Sequence, residues 1–125
     1  MARKILLVDD EDDIREVAQL SLEMTAGWDV AVARSGPEAL AMAAAERPDA
    51  ILMDVMMPGM DGPTAVRRLR EDPATADIPV VLLTAKTQAA DRRRFDELGV
   101  AGVLGKPFDP MELAAQVAGA LGWDA

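Results

Sequence analysis

The chain has no cysteine, no histidine and no tyrosine, and only two tryptophans and two phenylalanines. Without cysteine there is neither a disulfide framework nor a thiolate metal site, and a cytoplasmic location is the default expectation. Without histidine as well, a metal site has to be built from oxygen. Scarce aromatics leave the core to aliphatic side chains, alanine and eight methionines. Basic residues are also few, 13 against 22 acids, for a net charge of −9. That balance argues against direct nucleic-acid binding, which normally shows a basic stripe. No apolar run approaches the roughly 18 residues of a membrane span. The apolar stretch of MARKILLVDD ends in acids too soon for a secretory signal. What remains is an ordinary globular composition over 125 residues, 50% hydrophobic and 28% charged. The expectation is a single domain, residues 1–125, with no length left for an output domain.

Short apolar runs alternate with helical patterns along the whole chain. KILLVD (4–9) reads as a buried strand, and a helix follows from about Asp12 to Thr25. In that helix Ile14, Val17, Ala18, Ser21 and Leu22 share one face, and Asp12 or Asp13 can cap it. WDVAVA (28–33) is a second strand, and SGPEALAMAAAERP a helix with Ser35 or Gly36 at its cap, Pro37 in its first turn and Pro48 after its end. DAILMD (49–54) is a third strand, followed by the turn MPGMDG and a helix near Pro63–Glu71. IPVVLLT (78–84) is the fourth strand, and QAADRRRFDELG (88–99) a charged helix ended by Gly99. AGVLG (101–105) is a short fifth strand, and Asp109-Pro110 opens a last helix that runs to about Leu121. Strands that each precede a helix imply right-handed crossovers and a parallel sheet covered on both faces. In such sheets ligands bind at the carboxyl ends of the strands.

The residues at those ends are Asp9, Asp10, Asp54, Thr84 and Lys106. ILLVDDEDD (5–13) runs four apolar residues into five consecutive acids, either as a solvated loop or because something cationic belongs there. Clustered carboxylates repel, so one must take a proton or a cation must neutralise them. All-oxygen ligands favour Mg²⁺, or Mn²⁺, over zinc. A carboxylate can also attack phosphorus to form an aspartyl-phosphate. The transferring group then needs positive and donor partners, which Lys106, Thr84 and the metal can supply. Asp54, ending the central strand before a turn rich in Pro and Gly, is the candidate nucleophile. Each of these residues alone has a bland reading as a helix cap, a solvated loop or a surface lysine. The weight lies in their occurrence at successive strand ends.

The stretches LLVDDE (6–11), ILMDVMMPGMDG (51–62), VVLLTA (80–85) and GKPF (105–108) together resemble the receiver domain of two-component response regulators. The resemblance covers essentially the whole chain and is closest to single-domain, chemotaxis-regulator-like receivers. It implies a flavodoxin-like, doubly wound (βα)5 fold with strand order 2-1-3-4-5. It implies that Asp54 is the phosphoacceptor, that Asp10 and Asp54 bind Mg²⁺ directly, that Asp9 helps through a water, and that the Met56 backbone carbonyl completes the protein's share. Thr84 and Lys106 would bind the phosphoryl group, with a cis Lys106–Pro107 peptide. The partners implied are a sensor histidine kinase or phosphotransfer protein and a downstream protein target. The output is a shift of the face built from the fourth helix, fifth strand and fifth helix. No turnover of an external substrate and no membrane contact is expected.

The chain departs from that pattern where many receivers carry an aromatic switch residue, since Val103 stands there. Met56 and Lys86 occupy the two positions that flank the route of the hydrolytic water. Arg92, Arg93 and Arg94 form a basic run read either as a solvated face or as a partner-docking patch. Trp123 either packs on the last helix or frays. Both a stand-alone regulator and a receiver cut from a longer chain fit the sequence. A flavin or nucleotide binder on the same fold is disfavoured by the scarce aromatics and by the lack of a phosphate loop after the first strand. An aspartyl-phosphate hydrolase would want a second acid where Met56 stands.

Overall fold

A computed structural model describes residues 3–85 and 89–123, and for residues 89–92 the backbone alone. Five strands and five helices alternate through it. They are β1 (Lys4–Val8), α1 (Asp12–Ala26), β2 (Asp29–Ala33), α2 (Gly36–Glu46), β3 (Ala50–Asp54), α3 (Gly62–Glu71), β4 (Val80–Thr84), α4 (Ala89–Glu97), β5 (Gly102–Gly105) and α5 (Leu113–Leu121). The strands form one sheet in the order β2-β1-β3-β4-β5, and every neighbouring pair is parallel. The expected doubly wound fold and its strand order are therefore borne out.

The strands are apolar throughout because both faces of the sheet are covered. Side chains alternate across a strand, and the core divides accordingly. Leu6, Val8, Ile51, Met53, Val80 and Leu82 face a cluster closed by residues of α2, α3 and α4, among them Ala39, Ala43, Val66, Leu69 and Phe95. Ile5, Leu7, Leu52, Val81 and Leu83 face the opposite way, onto Ala18, Leu22, Leu113 and Val117 of α1 and α5. Alanines on α2 let that helix approach the sheet closely.

The helix ends show where local chemistry decides. Ser35 caps α2 by accepting from the Glu38 amide at 3.3 Å, and Asp61 caps α3 by accepting from the Thr64 amide at 2.9 Å. The expected cap of α1 differs. Glu11 is its N-cap residue and makes no side-chain capping bond, while Asp12 and Asp13 lie inside the first turn. There they complement the helix dipole, and Asp12 bonds Arg15 instead. Helix α5 also starts later than Asp109-Pro110. The Asp109 carboxylate takes the Met111 amide at 2.9 Å, which makes a turn of 109–112 before the helix proper. That turn is tied to α1, because the Ser21 hydroxyl donates to the Pro110 carbonyl. Gly27, at φ 70, ends α1 in a left-handed conformation that favours glycine.

Of the expected apolar face of α1, Ala18, Ser21 and Leu22 are buried. Val17 is 44% exposed and, with the half-buried Ile14, lines a cleft of about 430 Å³ whose other walls include Phe108 and Pro110. Trp123 packs rather than frays. Its ring meets Trp28 edge-on at 5.3 Å between centroids, and the Arg3 guanidinium lies 4.3 Å over it.

The packing predicts a sharp contrast in chemical denaturation. Leu82→Ala, at a fully buried position, should cost about 3 kcal/mol through the cavity it leaves. Val17→Ala should change stability by no more than about 0.5 kcal/mol.

Candidate functional site

The parallel register carries the strand-end residues to one edge as a staircase. Val8 pairs with Met53, so Asp9 emerges beside Asp54. Asp54 pairs with Leu83, so Thr84 lies one step further. Thr84 pairs with Gly105, which puts Lys106 one step beyond that. The Lys106 amide donates to the Thr84 carbonyl at 2.9 Å, closing the last step. The Lys106–Pro107 peptide is cis.

The Lys106 ammonium lies 3.0 Å from Asp9 Oδ2 and 3.2 Å from Asp54 Oδ2. Asp9 and Asp54 are almost wholly buried, 1% and 3% exposed, and Thr84 is fully buried. The second oxygen of each acid is held locally. Asp9 Oδ1 accepts from the Glu11 amide at 2.9 Å, and Asp54 Oδ1 accepts from the Met56 amide at 3.3 Å. Burial, and then the charge of Asp9, push the Asp54 carboxyl above its ordinary value, although Lys106 and the Met56 amide pull the other way. Burial alone would lower the Lys106 ammonium, but its bonds to Asp9 and Asp54 outweigh that and raise it. The site therefore holds more negative charge than one ammonium answers.

Asp10 is half-buried, and its Oδ1 is enclosed without a hydrogen-bond partner. One carboxylate oxygen each from Asp9, Glu11 and Asp54 lie within 4.8 Å of one another. A buried acceptor lacking a donor is costly, and crowded carboxylate oxygens suit a hard divalent cation. The residues present thus fit such an ion. Glu11 is exposed, but its carboxylate turns toward the pair, which its sequence position did not signal.

Two other features were not visible in the sequence. Arg15 donates from Nη1 to the Asp9 carbonyl at 2.9 Å and from Nη2 to Asp12 Oδ1 at 2.5 Å. Only the spacing of Asp12 and Arg15 on one helix face hinted at that pair. Gly62, read as the last residue of the turn MPGMDG, begins α3 directly against β3. A Cβ there would stand 2.7 Å from the Asp54 carbonyl oxygen and 3.0 Å from Val55 Cα. Only glycine lets that helix approach so closely.

The remaining candidates take varied places. Met56 is 59% exposed at the rim of the site. Val103 is half-buried and packs against the core cluster that includes Leu82 and Phe95. Arg93 and Arg94 are exposed. Against the upward push of burial, the Asp61 carboxyl is lowered first by its bonds from Thr64 and then by the charges of Arg67 and Arg94. Lys86 and the side chain of Arg92 lie outside the described residues.

Residues 5–118 match the family described as the response regulator receiver domain. The chain belongs to that family. The receiver is 48% identical over 118 residues to the response regulator PleD of Caulobacter vibrioides, covering 94% of this chain and 26% of that protein. It is 40% identical over 117 residues to the phosphate regulon transcriptional regulatory protein PhoB of Pseudomonas aeruginosa, covering 94% and 51%. Its fold is similar to that of the chemotaxis protein CheY4 of Vibrio cholerae, with a TM-score of 0.89, 34% identity, and coverage of 96% and 99%. The receiver thus spans a quarter to a half of these curated relatives and nearly all of that solved chain. It is a signalling domain of two-component systems. No helix among its described residues is long and apolar enough to cross a membrane.

Two outcomes follow for the metal-free receiver kept in a chelator. A carboxyl raised in the fold keeps a proton that the unfolded chain releases, so Asp54's contribution is greatest below 3.8 and declines as pH climbs through the folded value. Asp54→Asn should therefore raise the melting temperature at neutral pH, and the gain should shrink in titrations toward acid. Gly62→Ala should cost about 1–3 kcal/mol in the same assay, because the added methyl meets backbone that cannot turn away.

Proposed function

We propose that Asp54 accepts a phosphoryl group from a phosphohistidine on a partner histidine kinase or phosphotransfer protein. The observation that carries this reading is the Asp54 carboxylate itself, buried at the sheet edge within 3.2 Å of the Lys106 ammonium and beside a second acid. An Asp54 oxygen attacks phosphorus and forms a P–O bond. The P–N bond to the donor imidazole breaks, and its electron pair returns to that nitrogen. The receiver contains no histidine, so the donor comes from another chain or segment.

Asp10 and Asp54, with Asp9 and the Met56 carbonyl, are the residues that hold Mg²⁺ in this reading, with Mn²⁺ as a substitute. The bound ion supplies positive charge for the phosphoryl oxygens. Lys106 pairs with the transferred group, and Thr84 orients toward it from the end of β4. Burial desolvates the nucleophile and strengthens each of these interactions.

Phosphorylation replaces a single negative charge by a larger one with extra acceptor oxygens. Lys106 and Thr84 then have a differential interaction with the two states, which shifts the face of α4, β5 and α5. Val103, half-buried against the core, has no ring to rotate, so the shift either runs through the loop after Thr84 or is muted. Residues 1–125 act as one receiver unit in the cytoplasm, controlling a protein target without turning over external substrates.

Incubation with Mg²⁺ and acetyl phosphate, followed by intact mass, tests this reading. The expected result is a gain of one phosphoryl group that disappears in Asp54→Asn and in excess chelator. An undiminished gain in the variant, or no gain with several small donors, overturns the assignment. Sustained hydrolysis of unrelated phosphate esters would move the site to the hydrolases.

A further inference from the structure

The loop between β1 and α1 concentrates negative charge, yet a guanidinium lies against its back. Arg15 is only 11% exposed, on the first turns of α1. A guanidinium near carboxylates ordinarily takes the strongest bond on offer, a charge-assisted fork with one of them. Among the described residues the fork makes no hydrogen bond with the carboxylates of Asp9, Asp10 or Glu11. It is divided between a neutral group, the Asp9 carbonyl at 2.9 Å, and the carboxylate of Asp12 at 2.5 Å. Asp12 is 79% exposed and outside the carboxylate cluster.

This division has two consequences. The cluster's own carboxylate oxygens stay available to a cation rather than to Arg15. The backbone of Asp9 is also fastened just past β1, where its amide still bonds the Ala33 carbonyl at 3.2 Å and its own carbonyl is held by Arg15. Asp9 is the hub of the site, because its carboxylate holds both the Lys106 ammonium at 3.0 Å and the Glu11 amide at 2.9 Å. A loop pinned at its carbonyl presents those carboxylates in one arrangement.

We propose that Arg15 is a positioning residue of the phosphoacceptor site, which sets the cation-binding geometry of the acidic loop through the Asp9 carbonyl. The inference rests on the reading of Asp9, Asp10 and Asp54 as the cation site. It makes a prediction opposite in sign to simple electrostatics. Removing a positive charge near clustered acids should tighten cation binding by Coulomb's law. Losing a positioning contact should weaken it, commonly by about tenfold or more for the groups that orient metal ligands.

The test is calorimetric titration of Mg²⁺ into the unphosphorylated full chain, with the melting temperature measured beside it. Arg15→Met keeps the apolar stem and removes the donors. It should raise the Kd for Mg²⁺ about tenfold, and Arg15→Lys, which can still donate to a carbonyl, should recover most of the loss. The Glu11 amide should also exchange its hydrogen faster in Arg15→Met. Unchanged or tighter Mg²⁺ binding in a folded Arg15→Met overturns the proposal. If that variant does not fold, Arg15→Gln decides, since it keeps a polar side chain too short to span to the Asp9 carbonyl. A raised Kd for Mg²⁺ in Arg15→Gln supports the proposal, and unchanged or tighter binding overturns it. If the wild-type chain neither binds Mg²⁺ nor accepts a phosphoryl group, the cation-site reading fails and this inference falls with it. Phosphorylation of the wild type with Mg²⁺ unaffected by Arg15→Met sinks the inference alone.

Discussion

The contact between one lysine and two buried acids organises the carboxyl edge of this sheet. Lys106 reaches Asp9 at 3.0 Å and Asp54 at 3.2 Å from the first position after β5. Buried carboxylates are tolerated only when paired or neutralised. Their burial therefore requires that three strands, β1, β3 and β5, arrive in a fixed register. A shift of one residue in a parallel pair would send Asp9 or Asp54 to another height and leave an uncompensated charge. The site depends on the sheet, and the charge pairing in turn disfavours other registers.

That dependence explains how the packing is distributed. Both faces of the sheet are closed by helices, and the strands are apolar along their whole length until the edge is reached. Gly62 allows α3 to begin against the backbone of Asp54, and the Ser21–Pro110 hydrogen bond ties α1 to the turn before α5. These contacts hold the loops that carry the acids and the lysine, and leave their polar ends facing the edge. A domain that must respond to a change of charge needs such rigidity in its frame. Only then does a small rearrangement at the edge favour one packing over another.

Much of this was legible before any coordinates. The alternation of apolar runs and helical patterns pointed to five βα units, and the residues at the strand ends named the site. Other features were not legible. The cap of α1 went to Glu11 because the acids that follow it were already inside the helix. Helix α5 started late because the Asp109 side chain competed for the Met111 amide. Val17, on the expected core face, stayed 44% exposed because the groove beside it is open. Arg15 gave no signal beyond its helical spacing from Asp12, because the Asp9 carbonyl it holds lies in the loop before the helix.

By itself the sequence determined the class of fold, the family and the candidate chemistry. These follow from periodicity and residue type, which are local properties of the chain. Tertiary structure alone decided which two carboxylates Lys106 meets, which buried oxygen of Asp10 lacks a partner, and which carbonyl Arg15 holds. The physical reason is distance along the chain. Lys106 and Asp9 are 97 residues apart, and no local pattern encodes a contact that exists only once the sheet has set its register.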